Sequence, residues 1–272
     1  MIYERCDFLI YLDNAATSFP KPQCMIKEIF DCLKHYCGNP GRSGHFMSIK
    51  TAEKIYETRQ ALMELFHLGD PSKIVFTSNT TEALNLAIKG LLLPGDHVIT
   101  TAMEHNSVLR PLLSRKNISV TIVSADPQGR VDPENIRKKI RENTKLIVCT
   151  HSSNVVGTIL PIREIGTIAR ENHIYFLVDA AQSAGVIPID FRDLPVDMMA
   201  FAGHKSLLGP QGTGFLYVNG PIDLYPLKDG GTGTQSKNTT QPHDFPEGYE
   251  AGTVNAPGII GLGASTRFLN QV

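Results

Sequence analysis

The chain has almost no net charge: 26 lysines and arginines stand against 27 acids, leaving a formal charge of -1. That absence removes the electrostatic basis for a general nucleic-acid or anionic-membrane binder, so any partner must be recognised locally. No apolar run approaches the roughly 18 residues of a membrane-spanning helix. The first residues, Met1-Ile2-Tyr3-Glu4-Arg5-Cys6-Asp7, carry charge where a signal peptide needs its apolar segment, and a cytoplasmic protein is expected. Cysteine is sparse and odd in number. Cys6, Cys24, Cys32, Cys37 and Cys149 show no CxxC spacing, which argues against both a zinc site and a disulfide framework. Cys149, inside Leu146-Ile147-Val148-Cys149, reads as a small buried hydrophobe. No GxxxxGK[ST] phosphate loop occurs, and Gly212-Thr213-Gly214 leads into a strand pattern, so a dinucleotide fingerprint is missing as well.

What is present suits a globular protein. With 272 residues, 42% of them hydrophobic and 19% charged, the chain can bury one large core or one and a half. Pro20 and Pro22 followed by Met25, Ile26, Ile29, Phe30 and Leu33 predict a first helix, and a second is expected from Met47 to Phe66. Short apolar runs predict strands at Lys73 to Thr77, His97 to Thr101, Ser119 to Ala125, Lys145 to Thr150, Ile174 to Val178 and Gly212 to Val218. Helical patterns such as Glu82 to Leu92 and Ile162 to Asn172 lie between them. Buried strands alternating with helices imply an α/β fold, with parallel pairing and helices on both faces. From Lys228 to Glu250 the pattern stops in a stretch containing Gly230-Gly231-Thr232-Gly233-Thr234-Gln235, too long for an ordinary connection and therefore functional, disordered or docked on a neighbour. A last helix begins near Gly258 and is still in phase at Thr266, Phe268 and Leu269, so the sequence is expected to be cut short.

Ligands of open α/β sheets bind beyond the carboxyl ends of the strands, and the residues there are polar in this chain. Ser78-Asn79-Thr80-Thr81-Glu82 opens a helix and can cradle a phosphate, although the same residues are good helix caps. Met103-Glu104-His105-Asn106 offers an imidazole that could stack on a flat ring, and His151-Ser152-Ser153-Asn154 offers an amide. Asp179-Ala180-Ala181-Gln182 places a carboxylate beside small residues that let a ring approach the backbone. Phe201-Ala202-Gly203-His204-Lys205 follows an apolar run that would bury the lysine and lower its pKa towards nucleophilic competence. A lysine that can form an imine and a carboxylate that can hold a pyridine nitrogen protonated are the two halves of a pyridoxal 5'-phosphate (PLP) anchor.

The whole chain resembles the class V aminotransferase family of fold-type I PLP enzymes, and within it the cysteine desulfurase branch. The resemblance rests on Tyr11-Leu12-Asp13-Asn14-Ala15-Ala16, Asn39-Pro40-Gly41-Arg42-Ser43-Gly44-His45, Thr80-Thr81-Glu82, Glu104-His105-Asn106, His151-Ser152-Ser153-Asn154, Asp179-Ala180-Ala181-Gln182, Gly203-His204-Lys205 and Glu250-Ala251-Gly252-Thr253. It implies a three-layer α/β/α domain with a mainly parallel, mixed sheet: an arm at 1–20, a PLP-binding large domain at 21–255, and the start of a small domain, largely missing, at 256–272. It also implies roles. Lys205 would hold the cofactor covalently, Asp179 would face the pyridine nitrogen and Gln182 the phenolic oxygen. His105 would stack on the ring and shuttle protons, Thr80, Thr81 and His204 would hold the phosphate, and Asn154 would serve ring oxygen and substrate carboxylate. Thr253 would reach the phosphate of a neighbouring subunit, which implies a homodimer. L-cysteine would be converted to L-alanine with sulfur passed to a thiol, and a sulfur-acceptor protein is a further implied partner.

Two departures accompany the resemblance. Ala202 stands where many relatives carry a hydroxyl, so one phosphate contact would be missing. None of the five cysteines matches the family's persulfide-forming nucleophile, which with a carboxylate-binding arginine belongs to a later segment. Two further readings stay open at this point: another class V enzyme, such as a selenocysteine lyase, aminotransferase or beta-lyase, and a PLP-binding fragment without catalysis.

Overall fold

In a computed structural model, residues 10–41, 44–234 and 237–271 are described. Cys6, Arg42, Ser43 and Gln235, which figured in the sequence expectations, lie outside them. In chain order the elements are α1 (Gln23–His35), α2 (Phe46–Phe66), β1 (Ile74–Thr77), α3 (Thr80–Leu91), β2 (His97–Thr101), α4 (Asn106–Leu113) and β3 (Ser119–Val123). There follow α5 (Pro133–Arg137), β4 (Thr144–Thr150), α6 (Ile162–Glu171), β5 (Tyr175–Asp179), β6 (Met198–Ala202), β7 (Gly214–Val218) and α7 (Ala256–Leu269).

The seven strands form one sheet in the order β1-β7-β6-β5-β4-β2-β3. β3, β2, β4, β5 and β6 are parallel, while β7 runs antiparallel to both β6 and β1. β1 therefore points the same way as β6. Both faces are covered, as parallel sheets require. Ile147, Cys149, Phe176, Val178, Met199 and Phe201 pack on one face with Leu62 and Phe66 of α2, Ile165 of α6 and Ile260 of α7. The alternate residues Leu146, Val148, Leu177, Met198 and Ala200 pack on the other with Leu84 and Ile88 of α3 and Val108 and Leu112 of α4. The outcome is the expected α/β fold: a mixed, mostly parallel sheet between helical layers. Among the described residues no helix is long and apolar enough to cross a membrane.

Sequence expectation and structure differ where local signals are weak. β6 is a continuous apolar run, Met198-Met199-Ala200-Phe201-Ala202, buried along its whole length, and such runs carry no period by which to assign them. α4 is short, contains Pro111 and is capped by a histidine, none of which is a strong helix signal. α5 has the Asp132 cap, Pro133 and Glu134 of a helix start but only five residues. α3 begins at Thr80 instead of Glu82, because the Asn79 side chain accepts from Glu82 N at 2.9 Å and makes Asn79 the cap. The long stretch before Glu250 docks partly on its own chain. Gly230 N donates to Gln241 Oε1 at 2.9 Å, Gly252 N to Gly231 O at 2.8 Å, and the buried Tyr249 hydroxyl to Leu224 O at 2.9 Å.

One glycine sets the spacing between the sheet and the turn before α3. A Cβ on Gly214 would lie 2.6 Å from Asn79 C, 2.8 Å from Asn79 Cα and 2.9 Å from Phe201 O, all backbone atoms that cannot swing aside. Gly214→Ala is expected to destabilise the chain by about 1–3 kcal/mol, read as a lower urea midpoint, because overpacking forces backbone to move. An unchanged midpoint would show that the turn at Asn79 yields freely.

Candidate active site

β1, β6, β5, β4 and β2 all point their carboxyl ends at one edge of the sheet, and each ends in a polar step. β3, at the sheet edge, contributes nothing. The five ends meet in an open crevice of about 100 Å³. It is lined by Asn79, Thr80 and Thr81 after β1, His105 and Ser107 after β2, Ser152 and Asn154 after β4, Asp179 and Gln182 at the end of β5, and His204 and Lys205 after β6. Adjacent strands of a sheet lie only about 4.8 Å apart, so residues distant in sequence converge here.

Asp179 is 4% exposed, and its Oδ1 accepts from Ala181 N at 2.9 Å, leaving Oδ2 for a donor from the crevice. Burial pushes its pKa up, opposed by the Ala181 N–H and by the positive fields of Lys205 and His105. Burial lowers the pKa of the half-buried Lys205, and Asp179 opposes that shift. A lysine poised in this way is closer to a free nucleophilic amine than a solvated one.

Thr80 and Thr81, which also line the crevice, form the first turn of α3, where backbone N–H groups lack helical acceptors and the helix dipole favours an anion. The Thr81 and Ser107 hydroxyls are 2.7 Å apart, and Ser107 in turn lies 2.8 Å from His105 Nδ1. Because His105 Nδ1 also accepts from Ser107 N at 3.1 Å as the cap of α4, a neutral imidazole here carries its proton on Nε2. Burial lowers the pKa of His204, with help from Lys205 and Lys21. Ala202 is buried at the end of β6 and brings no hydroxyl to the crevice.

Sequence reasoning missed the segment that holds the lysine in place. Four donors converge on His204 O: Thr17 Oγ1 at 3.0 Å, Ser18 N at 3.3 Å, Ser18 Oγ at 3.2 Å and Lys21 Nζ at 2.6 Å. Ser18 Oγ is also 2.7 Å from Lys205 O, and Gln182 Nε2 donates to Ala15 O at 3.0 Å. Lys21 is thus a second amine close to the site, its pKa brought down to about 8 by burial. No local signal distinguished it, because its partner at the site, the His204 carbonyl, lies 183 residues along the chain.

Thr253 does not line this crevice. It belongs to a separate cavity of about 770 Å³ shared with Asn39, Gly41, Tyr56, Gly233 and Glu250, and Asn39 Nδ2 donates to Thr253 Oγ1 at 3.4 Å. The thiols also stand apart from the crevice. Cys32 and Cys149 are buried, and desolvation pushes the Cys32 thiol up to about 12 and Cys149 well above its ordinary value. Neither is a reactive thiolate at neutral pH.

The profile of the family described as aminotransferase class-V matches residues 10–272. A probable cysteine desulfurase of Methanothermobacter thermautotrophicus is 39% identical over 97% of this chain and 67% of its own length. The cysteine desulfurase IscS of Dictyoglomus turgidum is 37% identical over 93% of this chain and 62% of its own. Among solved structures, the apo cysteine desulfurase of Thermococcus onnurineus superposes with a TM-score of 0.89 at 34% identity, covering 97% of this chain and 68% of that one. SspA in complex with cysteine superposes at 0.85 with 33% identity, covering 95% and 72%. The chain spans about two thirds of the length of these relatives. With its sheet order, its convergent strand ends and these similarities taken together, the chain belongs to the class V aminotransferase family, on its cysteine desulfurase side.

Proposed function

We propose that the crevice holds pyridoxal 5'-phosphate and that the chain carries the cofactor-binding part of a cysteine desulfurase-type transferase acting on L-cysteine. One observation carries the reading: Lys205, Asp179 and the first turn of α3 face a single crevice at the sheet edge where such ligands bind. The donor set suits the cofactor. Lys205 would hold it through its amine, Asp179 Oδ2 would face the pyridine nitrogen, and Gln182 and Asn154 would flank the ring oxygen. Thr80, Thr81 and His204 would hold the phosphate, and His105 would lie against the ring. When bound, the cofactor supplies an electron sink for the substrate α-carbon.

The residues of the chain do the rest. Lys205 would be the base that takes the substrate α-proton and returns it, burial lowering the pKa of its amine. Asp179 would favour the charged form of the ring nitrogen. His105, with Nδ1 fixed by Ser107, presents Nε2–H as a proton carrier. Sulfur acceptance falls to a thiol other than the buried Cys32 and Cys149, in the same enzyme or in an acceptor protein. Thr253, in its separate cavity, would serve the phosphate of a second copy of the chain. The exposed apolar side chains of Phe46 and Tyr56 support such a homodimer, and the free thiols of the four cysteines among the described residues support a reducing, cytoplasmic setting.

Titrating the purified chain with PLP is expected to give a visible absorbance band that saturates. Addition of L-cysteine should then produce alanine and the persulfide of the acceptor thiol if one is supplied, with sulfide released as a second thiol reduces that persulfide to a disulfide, or α-proton exchange alone if no thiol is supplied. A chain that stays colourless would overturn the reading. Asp179→Asn is expected to keep the band but to slow α-proton exchange of L-alanine in heavy water, followed by NMR, by at least about 100-fold, the scale of losing one electrostatic partner of a developing charge.

A further inference from the structure

Beneath the crevice lies a carboxyl group that the proposed chemistry does not use. Glu104 is 8% exposed and bridges two strands: its Oε1 accepts from Thr101 Oγ1 at 2.6 Å on β2 and from Thr150 N at 2.9 Å on β4. Thr150 is paired in register with Asp179 on the neighbouring β5, and the next residue, His151, donates its N–H to Asp179 O at 2.9 Å. Two acids are therefore buried one strand apart. Glu104 Oε2, by contrast, is buried with no hydrogen-bond partner among the described residues.

That asymmetry carries the argument. An ionised carboxylate spreads its charge over both oxygens, and leaving one of them unpaired inside a protein is costly. A neutral acid matches the pattern at lower cost: its carbonyl oxygen accepts the two bonds at Oε1, and at Oε2 a single O–H is left unpaired instead of a charged oxygen. No lysine or arginine makes an ion pair with it among the described residues. The groups that face it are the acid Asp179 on β5, which would repel its charge, and the thiol Cys149 on β4, itself buried; His105 and Lys205 are felt at Asp179 instead.

We propose that Glu104 is a neutral carboxylic acid at physiological pH, a positioning residue that ties β2 to β4 under the crevice and adds no charge of its own beside Asp179. The energetics agree: burial, and to a smaller extent Asp179, raise the Glu104 pKa against the lowering effect of the two hydrogen bonds, to about 8 in all. A neutral Glu104 keeps Thr150 and the end of β4 in place without competing with Asp179 for a cationic ring nitrogen. The consequence for catalysis rests on the PLP reading above, but the protonation state does not, and it is tested on the chain without cofactor.

The variant is Glu104→Gln, whose amide oxygen can accept the same two bonds and never ionises. A group with a raised folded-state pKa stabilises fully below its unfolded pKa and loses that contribution as pH rises through the folded value. The melting temperature of the wild-type chain, measured relative to Glu104→Gln, is therefore expected to fall steadily between about pH 4.5 and pH 8 and to level off above. Infrared difference spectra of the two proteins at pH 7 should show a protonated carboxylic acid C=O band present only in the wild type, which separates Glu104 from Asp179. Glu104→Leu, which removes the acceptor, is expected to lower stability at every pH, with Glu104→Gln restoring it. Melting curves of wild type and Glu104→Gln that stay parallel from pH 5 to pH 9, or a difference spectrum with only a carboxylate band, would overturn the proposal. Failure of PLP to bind would overturn the functional reading and leave this one standing.

Discussion

Lys205→Ala is expected to abolish the covalent, borohydride-reducible attachment of PLP, seen as complete loss of the mass increment that the reduced wild-type chain retains. The expectation follows from burial and position. Lys205 lines the crevice together with Asp179, and burial lowers its pKa from the ordinary lysine value, which favours the free amine relative to a solvated lysine. The crevice holds no other lysine among its lining residues. The rival is Lys21, whose pKa is brought down to about 8. Its Nζ is committed to Ser18 Oγ at 2.7 Å and His204 O at 2.6 Å, behind the backbone of the nucleophile instead of in front of it. Lys21→Ala should therefore keep the adduct and only loosen it, through the lost anchor on the His204 carbonyl. If the adduct persists in Lys205→Ala and disappears in Lys21→Ala, the two roles are reversed and the assignment fails.

The second large effect concerns stability. Arg59 and Glu250 form a buried pair, with side chains 7% and 10% exposed. Arg59 Nη2 donates to both Glu250 oxygens at 2.8 Å, its Nη1 donates to Ile74 O, and the guanidinium lies 4.4 Å from the centre of the Phe76 ring. Glu250 Oε1 also accepts from Phe76 N at 2.6 Å. α2, β1 and the segment leading to Thr253 are thus locked through one carboxylate. Removing either partner strands a charge in the interior, so Arg59→Ala or Glu250→Ala is expected to cost roughly 3–5 kcal/mol. In a chain of this size that lowers the melting temperature by on the order of 10 °C. An apolar double replacement, Arg59→Leu with Glu250→Leu, should cost clearly less than the sum of the single changes, because no charge is then left buried. Single variants that lose less than about 1 kcal/mol would mean that the pair behaves as a surface ion pair and holds nothing. Phe76 leads through Thr77 into the turn before α3, so the same variants should also weaken phosphate binding.

Much of the crevice was legible in the sequence because the relevant signal is local. Each of β1, β2, β4 and β5 is an apolar run followed at once by a polar cluster, and that step marks a strand leaving the core at its carboxyl end. Thr80, His105, Asn154 and Asp179 were found in this way. Lys205 required the apolar run before it, although that run gave no period to identify it as β6. The larger helices were placed to within two residues, since their apolar spacing is sustained over several turns. α4 and α5 escaped because one contains a proline and the other is barely a turn and a half long, and tertiary packing sustains both.

The order of strands along the chain told nothing of their order in the sheet, where β7 separates β1 from β6 and β2 lies between β4 and β3. The anchoring of Lys205 by Thr17 and Ser18 spans 187 residues, and no periodicity reports a contact of that separation. The same holds for the exclusion of Thr253 from the crevice and for Glu104, which reads as part of a polar loop until β4 folds beside it. The sequence by itself determined which chemical groups are available, because side-chain identity and the apolar-to-polar step at each strand end are properties of adjacent residues. Only the tertiary structure decided which of those groups share a low-dielectric space, and with it their protonation and partners, because burial and charge proximity are properties of the packed whole.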